Sequence, residues 1–235
     1  MSGKCLQLFQ SYLYNRRQVT VVDSVKSDVK YVTSGVPQGS RLGPLLFILY
    51  INDIEKDLES EILIFADDTT LLTFGVNSTE TSTILNRDLS KISHWAQTWK
   101  VKFGADKSRT VVFTNKLPQI SPPIILDSDP IKQVDTHKHL GIILTYNLDW
   151  SPQVHAVIMK ANKKLAVLRR IFYLQRKTLE MLYKVTVRSV IDFALPVYYH
   201  SLKLSDKNKL EQIQYKGAKL ASGALHGTSM IKLNS

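Results

Sequence analysis

The sequence predicts an α+β fold, in which an antiparallel sheet with packed helices over residues 1–150 precedes an all-helical region over residues 151–235. Short runs of alternating β-branched residues occur in pairs before residue 150, which is typical of hairpin strands. After residue 151 the strand signals fade and apolar residues recur at helical spacing. With 235 residues, 44% of them hydrophobic, the chain is long and apolar enough to form one or two domains with a core.

Composition excludes several classes of protein. The longest apolar run, "LGPLLFILYI", is about half the length of a membrane span, and the N-terminus lacks the long apolar segment of a signal peptide. The single cysteine, Cys5, rules out an internal disulfide and a cysteine-rich zinc site. We therefore expect an intracellular protein with no membrane role.

A short helix, a hairpin and a second helix are predicted before residue 60. The segment "LQLFQSYLYNRRQ" has an amphipathic pattern, and the polar "DSVKSD" joins two β-branched strands, "QVTVV" and "VKYVT". The stretch "SGVPQGSRLGPLLFILYINDIEKDL" begins as a loop and continues as a helix with Pro44 in its first turn. Apolar residues surround the axis of this helix, so we expect the helix to be buried.

Two adjacent aspartates interrupt the apolar segment "ILIFADDTTLL". The segment predicts two strands, with Asp67 and Asp68 at or near the tight turn between them. Ionised carboxylates beside a low-dielectric core are costly unless cations or hydrogen-bond donors compensate them. Two interpretations follow: the pair holds a cation, or it caps an exposed turn, where aspartate is common.

The remaining elements are a long helix, further strands and a set of C-terminal helices. Apolar residues at steps of four and three predict a helix with Ser78 or Thr79 as its N-cap: Leu85, Leu89, Ile92, Ala96 and Trp99. We expect "RTVVFTN" to be a strand, "KLPQISPPIILDSDP" a proline-rich connection and "HKHLGIILTYN" a strand or a pair of strands. Three helical segments follow, of which the second, "RKTLEMLYKVTVRSVIDFALPVYYHS", is expected to break at Pro196.

The charge is distributed unevenly along the chain. Residues 1–150 hold 16 Lys and Arg against 16 Asp and Glu, whereas residues 151–235 hold 15 against 4, so the whole excess of +11 lies in the second part. In "SPQVHAVIMKANKKLAVLRRIF" the apolar residues follow one helical face and the basic residues lie largely elsewhere. A solvated helical face or an anionic membrane surface would also fit, but the polar flanks favour nucleic acid, with an affinity that falls steeply with salt.

Four blocks of sequence together point to one family. They are "GVPQGSRLGPLLFILYINDI" (residues 35–54), "FADDTTLL" (65–72), "HWAQTWKVKFGADKS" (94–108) and "HKHLGIIL" (137–144). In this order they resemble the reverse transcriptases of non-LTR retrotransposons of the LINE or jockey type, and the resemblance runs almost from end to end. It implies a partial polymerase palm over residues 1–150 and a basic, helical, thumb-like region over residues 151–235.

The resemblance implies an RNA-directed DNA polymerase that transfers nucleotides onto a primer 3′-hydroxyl. Its partners would be an RNA template, a DNA primer and deoxynucleoside triphosphates. Asp67 and Asp68 would be the catalytic metal ligands, because hard divalent cations prefer carboxylates and two such ions can stabilise the attacking and leaving oxygens. Two Mg²⁺ ions are expected, with Mn²⁺ as an alternative, and the bound metal would offset the burial of both aspartates.

Further site residues follow from matching positions in the family motifs. Contacts to the nucleotide or template are expected from the loop and from the position where the family often has tyrosine: Gly35, Pro37, Gln38, Gly39 and Phe65. Glycine allows close backbone approach, although a plain helix-entry turn would also explain the loop, and Phe65 would also fit an ordinary core. Arg41 occupies a place where the family more often has a small apolar residue.

Three more groups are expected to contact the leaving group, the primer and the nucleic-acid backbone. By resemblance, Lys107 matches a family lysine that lies near the departing pyrophosphate. The family motif has Asn-Pro-x before this lysine, whereas this chain has Gly-Ala-Asp. The alternative is an ordinary solvated lysine in a turn. His139, Leu140 and Gly141 resemble the primer-grip hairpin, with an ordinary strand histidine as the alternative. The expected contacts to the template–primer backbone are Lys160, Lys163, Lys164, Arg169 and Arg170.

The sequence departs from the family pattern upstream of the loop. The family carries another aspartate there, within an Asp-x-x-x-Ala-Phe-Asp type motif, whereas Asp23 and Asp28 fall in a polar hairpin turn. The fingers, the first metal ligand and the endonuclease common in such elements are therefore expected to be missing. A truncated chain would be weakly active or inactive alone, and uncovered apolar palm surface would make it marginally soluble.

Two alternatives to a working polymerase remain open. One is a non-catalytic nucleic-acid-binding remnant, whose binding would persist without the aspartates. The other is a helical protein-interaction domain, which predicts no salt-dependent binding to RNA or DNA. Nuclear access is expected if the protein acts on genomic DNA, and the sequence does not specify an oligomeric state.

Overall fold

The computed structural model describes residues 3–37, 39–115 and 121–223 and divides the chain into two compact units, Met1–Phe103 and Gly104–Ser235. Helices and short, mainly antiparallel sheets occur together, which confirms the mixed character predicted from the sequence. The change from strands to helices falls within the second unit, between Thr145 and Ser151. The division into functional parts at residue 150 stays a prediction.

The first unit begins with a helix and two nested hairpin ladders. Its elements are α1 (Lys4–Leu13), β1 (Arg16–Gln18), β2 (Val21–Val22), β3 (Val25–Lys26), β4 (Lys30–Val32), α2 (Leu42–Ile51), β5 (Glu61–Phe65), β6 (Asp68–Leu72) and α3 (Ser78–Trp99). β1 pairs with β4 and β2 with β3, both antiparallel. The predicted first hairpin is confirmed, but its turn is Asp23–Ser24, where both residues have φ above zero as a type I′ turn requires.

A small apolar cluster joins α2, the β5–β6 hairpin and α3. Ile51, Ile54 and Ile92 are buried in it, and Phe47 and Trp95 are among the residues that pack around them. Trp95 also donates from Nε1 to Asp53 Oδ1 at 2.8 Å. One side of α2 therefore faces this cluster.

The other side of α2 lies exposed, so the prediction of a buried helix is wrong within this unit. Leu45, Ile48 and Leu49 are all solvent-exposed, and within α2 only Gly43 and Ile51 are buried. A helix that is apolar all round needs partners on several sides, and the described part of the unit supplies them on one side.

Helix α3 holds the start of the β5–β6 hairpin. Asp88 on α3 has no exposed surface, and its carboxylate accepts hydrogen bonds from the backbone N–H groups of Glu59, at 3.1 Å, and Ser60, at 2.7 Å. The helix is capped by Asn77, whose Oδ1 accepts from the N–H of Glu80 at 2.8 Å, so the predicted Ser78 or Thr79 cap is wrong by one or two positions.

The second unit combines small sheets with helices. Its strands are β7 (Arg109–Thr110), β8 (Ile124–Leu126), β9 (Asp129–Gln133), β10 (Thr136–His139) and β11 (Ile142–Thr145). Its helices are α4 (Ser151–Arg170), α5 (Arg176–Tyr183) with a π-helical continuation (Lys184–Arg188), α6 (Ser189–Asp192), α7 (Leu195–Tyr198) with a 3₁₀ turn (Tyr199–Ser201), and α8 (Leu204–Ser222). The predicted strand at "RTVVFTN" is only two residues long, and the pair of strands at "HKHLGIILTYN" is confirmed.

Two expectations for this unit are wrong. The proline-rich connection contains an antiparallel hairpin, β8–β9, whose turn residues Asp127 and Ser128 both have φ above zero. The helical break falls at Phe193–Ala194, where Ala194 has φ 54°, and Pro196 lies in the first turn of the next helix. Proline is tolerated there because the N–H groups of a first turn have no partner within their own helix.

The helices enclose the larger apolar core, which includes Val154, Leu165, Val187 and Ile213. α5 and α8 approach closely, since a β-carbon on Gly217 would lie 2.2 Å from Cε2 of Tyr183. Across the described residues, no helix combines the length and apolar character needed to cross a membrane.

Candidate functional site

The aspartate pair lies at the tip of the β5–β6 hairpin, as predicted. Phe65 and Asp68 are paired across the ladder, so Ala66 and Asp67 form a two-residue turn. Ala66 has φ 53°, and a positive φ at only the first turn residue is the pattern of a type II′ turn. Alanine is unfavourable in this conformation, so the surrounding ladder holds the turn in its shape.

The pairing also fixes which way Asp68 points. Residues directly opposite on neighbouring strands share one face of a sheet, so Asp68 lies on the face of Phe65 and Leu63. Ile62 and Leu71, on the other face, pack against the apolar cluster of the first unit. Burial of that second face therefore turns Asp68 away from the core.

Both aspartates are solvent-exposed, and so is Phe65. The expectation that bound metal offsets their burial is therefore wrong for this structure, because there is no burial to offset. The described residues contain no group of three or more His, Cys, Asp or Glu that could hold a metal ion. Asp67 and Asp68 supply hard oxygen donors on adjacent residues, a donor type that suits Mg²⁺ or Mn²⁺.

The glycine loop precedes α2 in the same unit. Gly35 and Gly39 have φ 72° and 79°, and, apart from the adjoining residues of the chain, no described atom lies within 4 Å of a β-carbon built on either one. Pro37 is half-buried between them, and Gln38, the predicted amide contact, lies outside the described residues. The loop thus needs glycine for its backbone conformation and leaves open space beside it.

Two residues that sequence reasoning missed hold this loop. The guanidinium of Arg16 donates to the carbonyl oxygens of Ser34 and Gly35. Ser40 Oγ donates to Pro37 O at 2.8 Å and accepts from Gly43 N at 2.9 Å, so it joins the loop to the first turn of α2. A serine three residues before the N–H that it caps is a recognisable sequence signal, whereas the Arg16 contact spans 18 or more residues.

Lys107 lies in the second unit, in a turn where its N–H donates to Gly104 O at 3.1 Å. Its side chain is exposed. The hairpin aspartates and the glycine loop belong to the first unit, so the structure brings those two groups into one unit and places Lys107 in the other.

The predicted primer-grip residues form the tip of the β10–β11 hairpin. His139 is paired with Ile142, so Leu140 and Gly141 are the turn residues, with φ 45° and 88°. A β-carbon on Gly141 would lie 3.0 Å from Cε1 of Phe193, which places that ring against the turn. This tip is therefore packed on the helices that follow it.

A buried amide holds the same hairpin to α4. Gln153 is only 2% exposed, and its Oε1 accepts from the backbone N–H of Ile143 at 3.0 Å. Neither Gln153 nor Phe193 was predicted, because a contact between a hairpin and a later helix leaves no local sequence pattern. Together they position the tip that carries His139, Leu140 and Gly141.

The basic residues of α4 divide between two sides of the helix. At 100° per residue, Lys160, Lys163, Lys164 and Arg170 fall within about 120° of one another, and Arg169 lies on a different side. Lys164 is half-buried and the other four are exposed. We call the first four residues the α4 basic stripe, to which Arg169 does not belong.

Two aspartates fix the start of α4 relative to α8. Ser151 Oγ lies 2.9 Å from both Asp149 Oδ1 and Asp206 Oδ2, and Lys209 Nζ lies 2.6 Å from Asp206 Oδ1. The hydrogen bond from Lys203 lowers the pKa of Asp149, and that from Lys209 lowers the pKa of the buried Asp206. The basic stripe therefore starts from a well-anchored helix end.

Comparison with known proteins identifies the family. The chain is 29% identical over 239 residues to the RNA-directed DNA polymerase from mobile element jockey of Drosophila funebris, covering 95% of the chain and 26% of the relative. It is 30% identical over 229 residues to its Drosophila melanogaster counterpart, covering 92% and 25%, and 29% identical to the probable RNA-directed DNA polymerase from transposon X-element of that species, covering 92% and 25%.

The chain thus spans about a quarter of the length of the curated relatives it matches. No solved structure matches it. The family model described as reverse transcriptase (RNA-dependent DNA polymerase) matches residues 3–144, which is more than half of the chain. The chain therefore belongs to the reverse transcriptase family, within the group found in non-LTR retrotransposons.

Proposed function

We propose that this chain supplies the metal-binding palm hairpin and the thumb-like helices of an RNA-directed DNA polymerase. The observation that carries the proposal is the hairpin tip, where Asp67 ends the two-residue turn, Asp68 begins β6 opposite Phe65, and both carboxylates are exposed to meet a ligand. Residues 1–150 would be palm and the helices of residues 151–235 thumb. The relatives are named RNA-directed DNA polymerases of mobile elements, which supports the same activity here.

The reaction joins a deoxynucleotide to the primer 3′-hydroxyl and releases pyrophosphate. Two divalent ions, Mg²⁺ or in its place Mn²⁺, would supply charge stabilisation at the attacking and leaving oxygens when bound. Asp67 and Asp68 would hold them as carboxylate ligands. The remaining ligands would be nucleotide oxygens, water and further groups of the complete protein, since Mg²⁺ accepts few protein carboxylates.

Other residues would position the substrates. The open backbone beside Gly35 and Gly39 would admit the nucleotide or the RNA template. Lys107 would give a proton to the leaving pyrophosphate, and the tip formed by His139, Leu140 and Gly141 would hold the DNA primer end. The α4 basic stripe would contact phosphates, which positions the duplex without reading its sequence.

A second candidate, binding without catalysis, is favoured by one observation. The α4 basic stripe is built from a single helix with a buried anchor at its start, so it does not depend on the aspartate hairpin. On that proposal the chain binds template–primer, and substitution of Asp67 leaves this binding unchanged. Deletion of residues 151–235 would abolish template–primer binding.

The test is primer extension with Mg²⁺ and deoxynucleotides, with binding to the template–primer followed in the same samples. The intact chain is compared with the double variant Asp67→Asn, Asp68→Asn, which removes both charges and keeps the side-chain shape. A matched control is Asp127→Asn, Asp129→Asn, because these two exposed aspartates lie at the β8–β9 hairpin and have no proposed role.

The proposal expects at most weak extension by the intact chain, equal extension by the control, and none by the Asp67, Asp68 variant. Electron paramagnetic resonance of Mn²⁺ should show weaker metal binding by that variant alone. Template–primer binding by all three, with extension by none and equal Mn²⁺ binding by all three, would support the second candidate. Absence of salt-dependent binding would overturn both candidates.

A further inference from the structure

A corner rich in cations and aromatic rings joins α4 to α5. Residues 169–177, "RRIFYLQRK", define this α4–α5 corner, and its four basic residues are exposed: Arg169, Arg170, Arg176 and Lys177. None of the four forms an ion pair with another described residue. The nearest acidic residue along the chain, Glu180, is already paired with Lys184 at 2.6 Å. The guanidinium of Arg176 lies against Gly223 at the C-terminus of α8. The corner is therefore a concentrated positive surface whose four cations form no ion pair within the described residues.

Two aromatic rings stand at the centre of this surface. Phe172 is 69% exposed and Tyr173 is 74% exposed. On both sides the chain is anchored: Leu168 is buried in the helical core, Ile171 packs against that core, and Leu174 N donates to Ile171 O at 3.1 Å. The rings are thus held out by a fixed turn, and neither is covered by another part of the described chain.

We propose that Phe172 and Tyr173 form a stacking site for unpaired bases of a nucleic acid, flanked by phosphate contacts from the four cations of the corner. The proposal deepens the proposed function and rests on it, because the nucleic acid is the template–primer of that reaction. An aromatic ring can stack on any base, since every base has a π face. Arginine suits the flanking positions because its guanidinium binds phosphate oxygens in pairs and can itself stack.

The position of the corner sets which part of the nucleic acid it meets. From Lys160 to Arg170 the α4 basic stripe covers ten residues of helix, or about 15 Å. That length matches roughly four nucleotides along one strand of a duplex, at about 3.4 Å each. The stripe ends at Arg170, two residues before Phe172, so an unpaired extension of a duplex held along α4 would meet the rings at this end of the helix.

Charge complementarity favours nucleic acid over an anionic membrane as the occupant. A membrane-surface helix carries an extended apolar face opposite its cations. Here the apolar side of α4 is buried in the core, and the corner offers two rings with cations on both sides of them along the chain. A nucleic-acid strand offers phosphates for the cations and bases for the rings, so it fits this arrangement of side chains.

The experiment measures binding of the full chain to a blunt duplex and to the same duplex with a single-stranded extension that carries 2-aminopurine. The test variant is Phe172→Leu, Tyr173→Leu, which keeps apolar side chains and removes the rings. The control is Tyr14→Leu, Phe74→Leu, since these residues are similarly exposed, at 81% and 78%, and lie in the other unit. Circular dichroism confirms that each variant folds.

The expected result has three parts. The intact chain and the control bind the extended duplex more tightly than the blunt one and change the 2-aminopurine fluorescence. The Phe172, Tyr173 variant loses at least about fivefold in affinity for the extended duplex, the lower limit for one stacked base. It binds the blunt duplex as the intact chain does, with the same salt dependence.

Three results would overturn the inference. Equal affinity of the Phe172, Tyr173 variant and the intact chain for the extended duplex is the first. The second is a parallel loss on blunt duplex, which would mean general damage to the surface. The third is ring-dependent binding to vesicles of phosphatidylserine and phosphatidylcholine without ring-dependent binding to the extension. Primer extension that still requires Asp67 and Asp68 in any of these cases would leave the proposed function standing.

Discussion

The carboxylate of Asp88 and the backbone N–H of Ser60 are joined by a 2.7 Å hydrogen bond in the interior of the first unit. This contact ties α3 to the beginning of the strand that ends at Phe65. Because the N–H of Glu59 donates to the same carboxylate, one side chain satisfies two successive backbone donors. The hairpin that presents Asp67 and Asp68 is therefore held at its base by a group far from them in sequence.

Replacement of Asp88 by alanine should destabilise the first unit by about 1–3 kcal/mol, because it leaves buried donors without a partner. Urea unfolding followed by tryptophan fluorescence measures this, since Trp95 and Trp99 both lie on α3. The exposed Glu55→Gln is the control and should change stability by less than about 0.5 kcal/mol. An unchanged midpoint for Asp88→Ala would contradict the role assigned to this carboxylate.

Asp88 should also make the free energy of unfolding depend on pH. Burial raises the pKa of Asp88, but hydrogen bonds from Ser60, Glu59 and Lys91 outweigh burial, and the pKa lies below its ordinary value. A lowered folded-state pKa gives stabilisation that is complete above the unfolded value of about 4 and is lost as pH falls through the folded value. The difference in unfolding free energy between the intact chain and Asp88→Asn should therefore shrink below about pH 4.

Gly217→Ala should destabilise the helical part of the second unit by about 1–3 kcal/mol. Alanine favours helix, but its β-carbon would lie 2.2 Å from the ring of Tyr183, which is buried and donates from its hydroxyl to Gln214 O. A double-mutant cycle with Tyr183→Leu tests the cause. The alanine should cost less once the ring is gone, and equal costs in both backgrounds would refute the steric explanation.

Ala66→Gly should raise stability by about 0.5–1 kcal/mol, because glycine adopts the positive φ of this turn position without the strain that alanine carries. Ala218→Gly, within α8, is the opposite control and should lower stability by about 1 kcal/mol. Thermal unfolding measures both. A loss of stability in Ala66→Gly would mean that the turn does not strain alanine.

The two sides of α4 should differ in their effect on nucleic-acid binding. Lys163→Gln with Arg170→Gln removes two charges of the basic stripe, and the slope of log affinity against log salt should fall by about 2. Lys160 and Lys164 remain in that variant to hold the duplex. Arg169→Gln, on another side of the helix, should leave the slope for blunt duplex almost unchanged, and equal effects per charge would contradict the stripe.

Local patterns predicted the aspartate hairpin and the basic helix correctly, because both are specified by residues close together in the chain. The β8–β9 hairpin was missed because its prolines were interpreted as strand breakers. Pro130 is tolerated since β7 pairs with β9 only at Lys132 and Gln133, beyond the residue that lacks an N–H. The prediction that α2 is buried was wrong. An apolar sequence shows that a helix favours burial, but it does not show which segment packs against each side of the helix.

Some contacts of the candidate site could not be predicted from the sequence. Asp88, Gln153 and Phe193 each act on a backbone segment that lies at least ten residues away along the chain. Such contacts depend on how elements pack, and their residue types are common on ordinary surfaces. The expected burial of both aspartates is wrong for a related reason. Pairing register places Asp68 on the face opposite the buried Ile62 and Leu71, and Asp67 lies in the exposed turn.

Because Asp67 and Asp68 are exposed, the fold does not depend on the two residues that are proposed to bind the metal. Neither carboxylate has a hydrogen-bond or ion-pair partner among the described residues, so its replacement removes no such contact. A chain in which either aspartate is replaced should therefore fold as the intact chain does. On the proposed function, only selection for polymerase activity would preserve the pair, because the fold places no demand on either carboxylate.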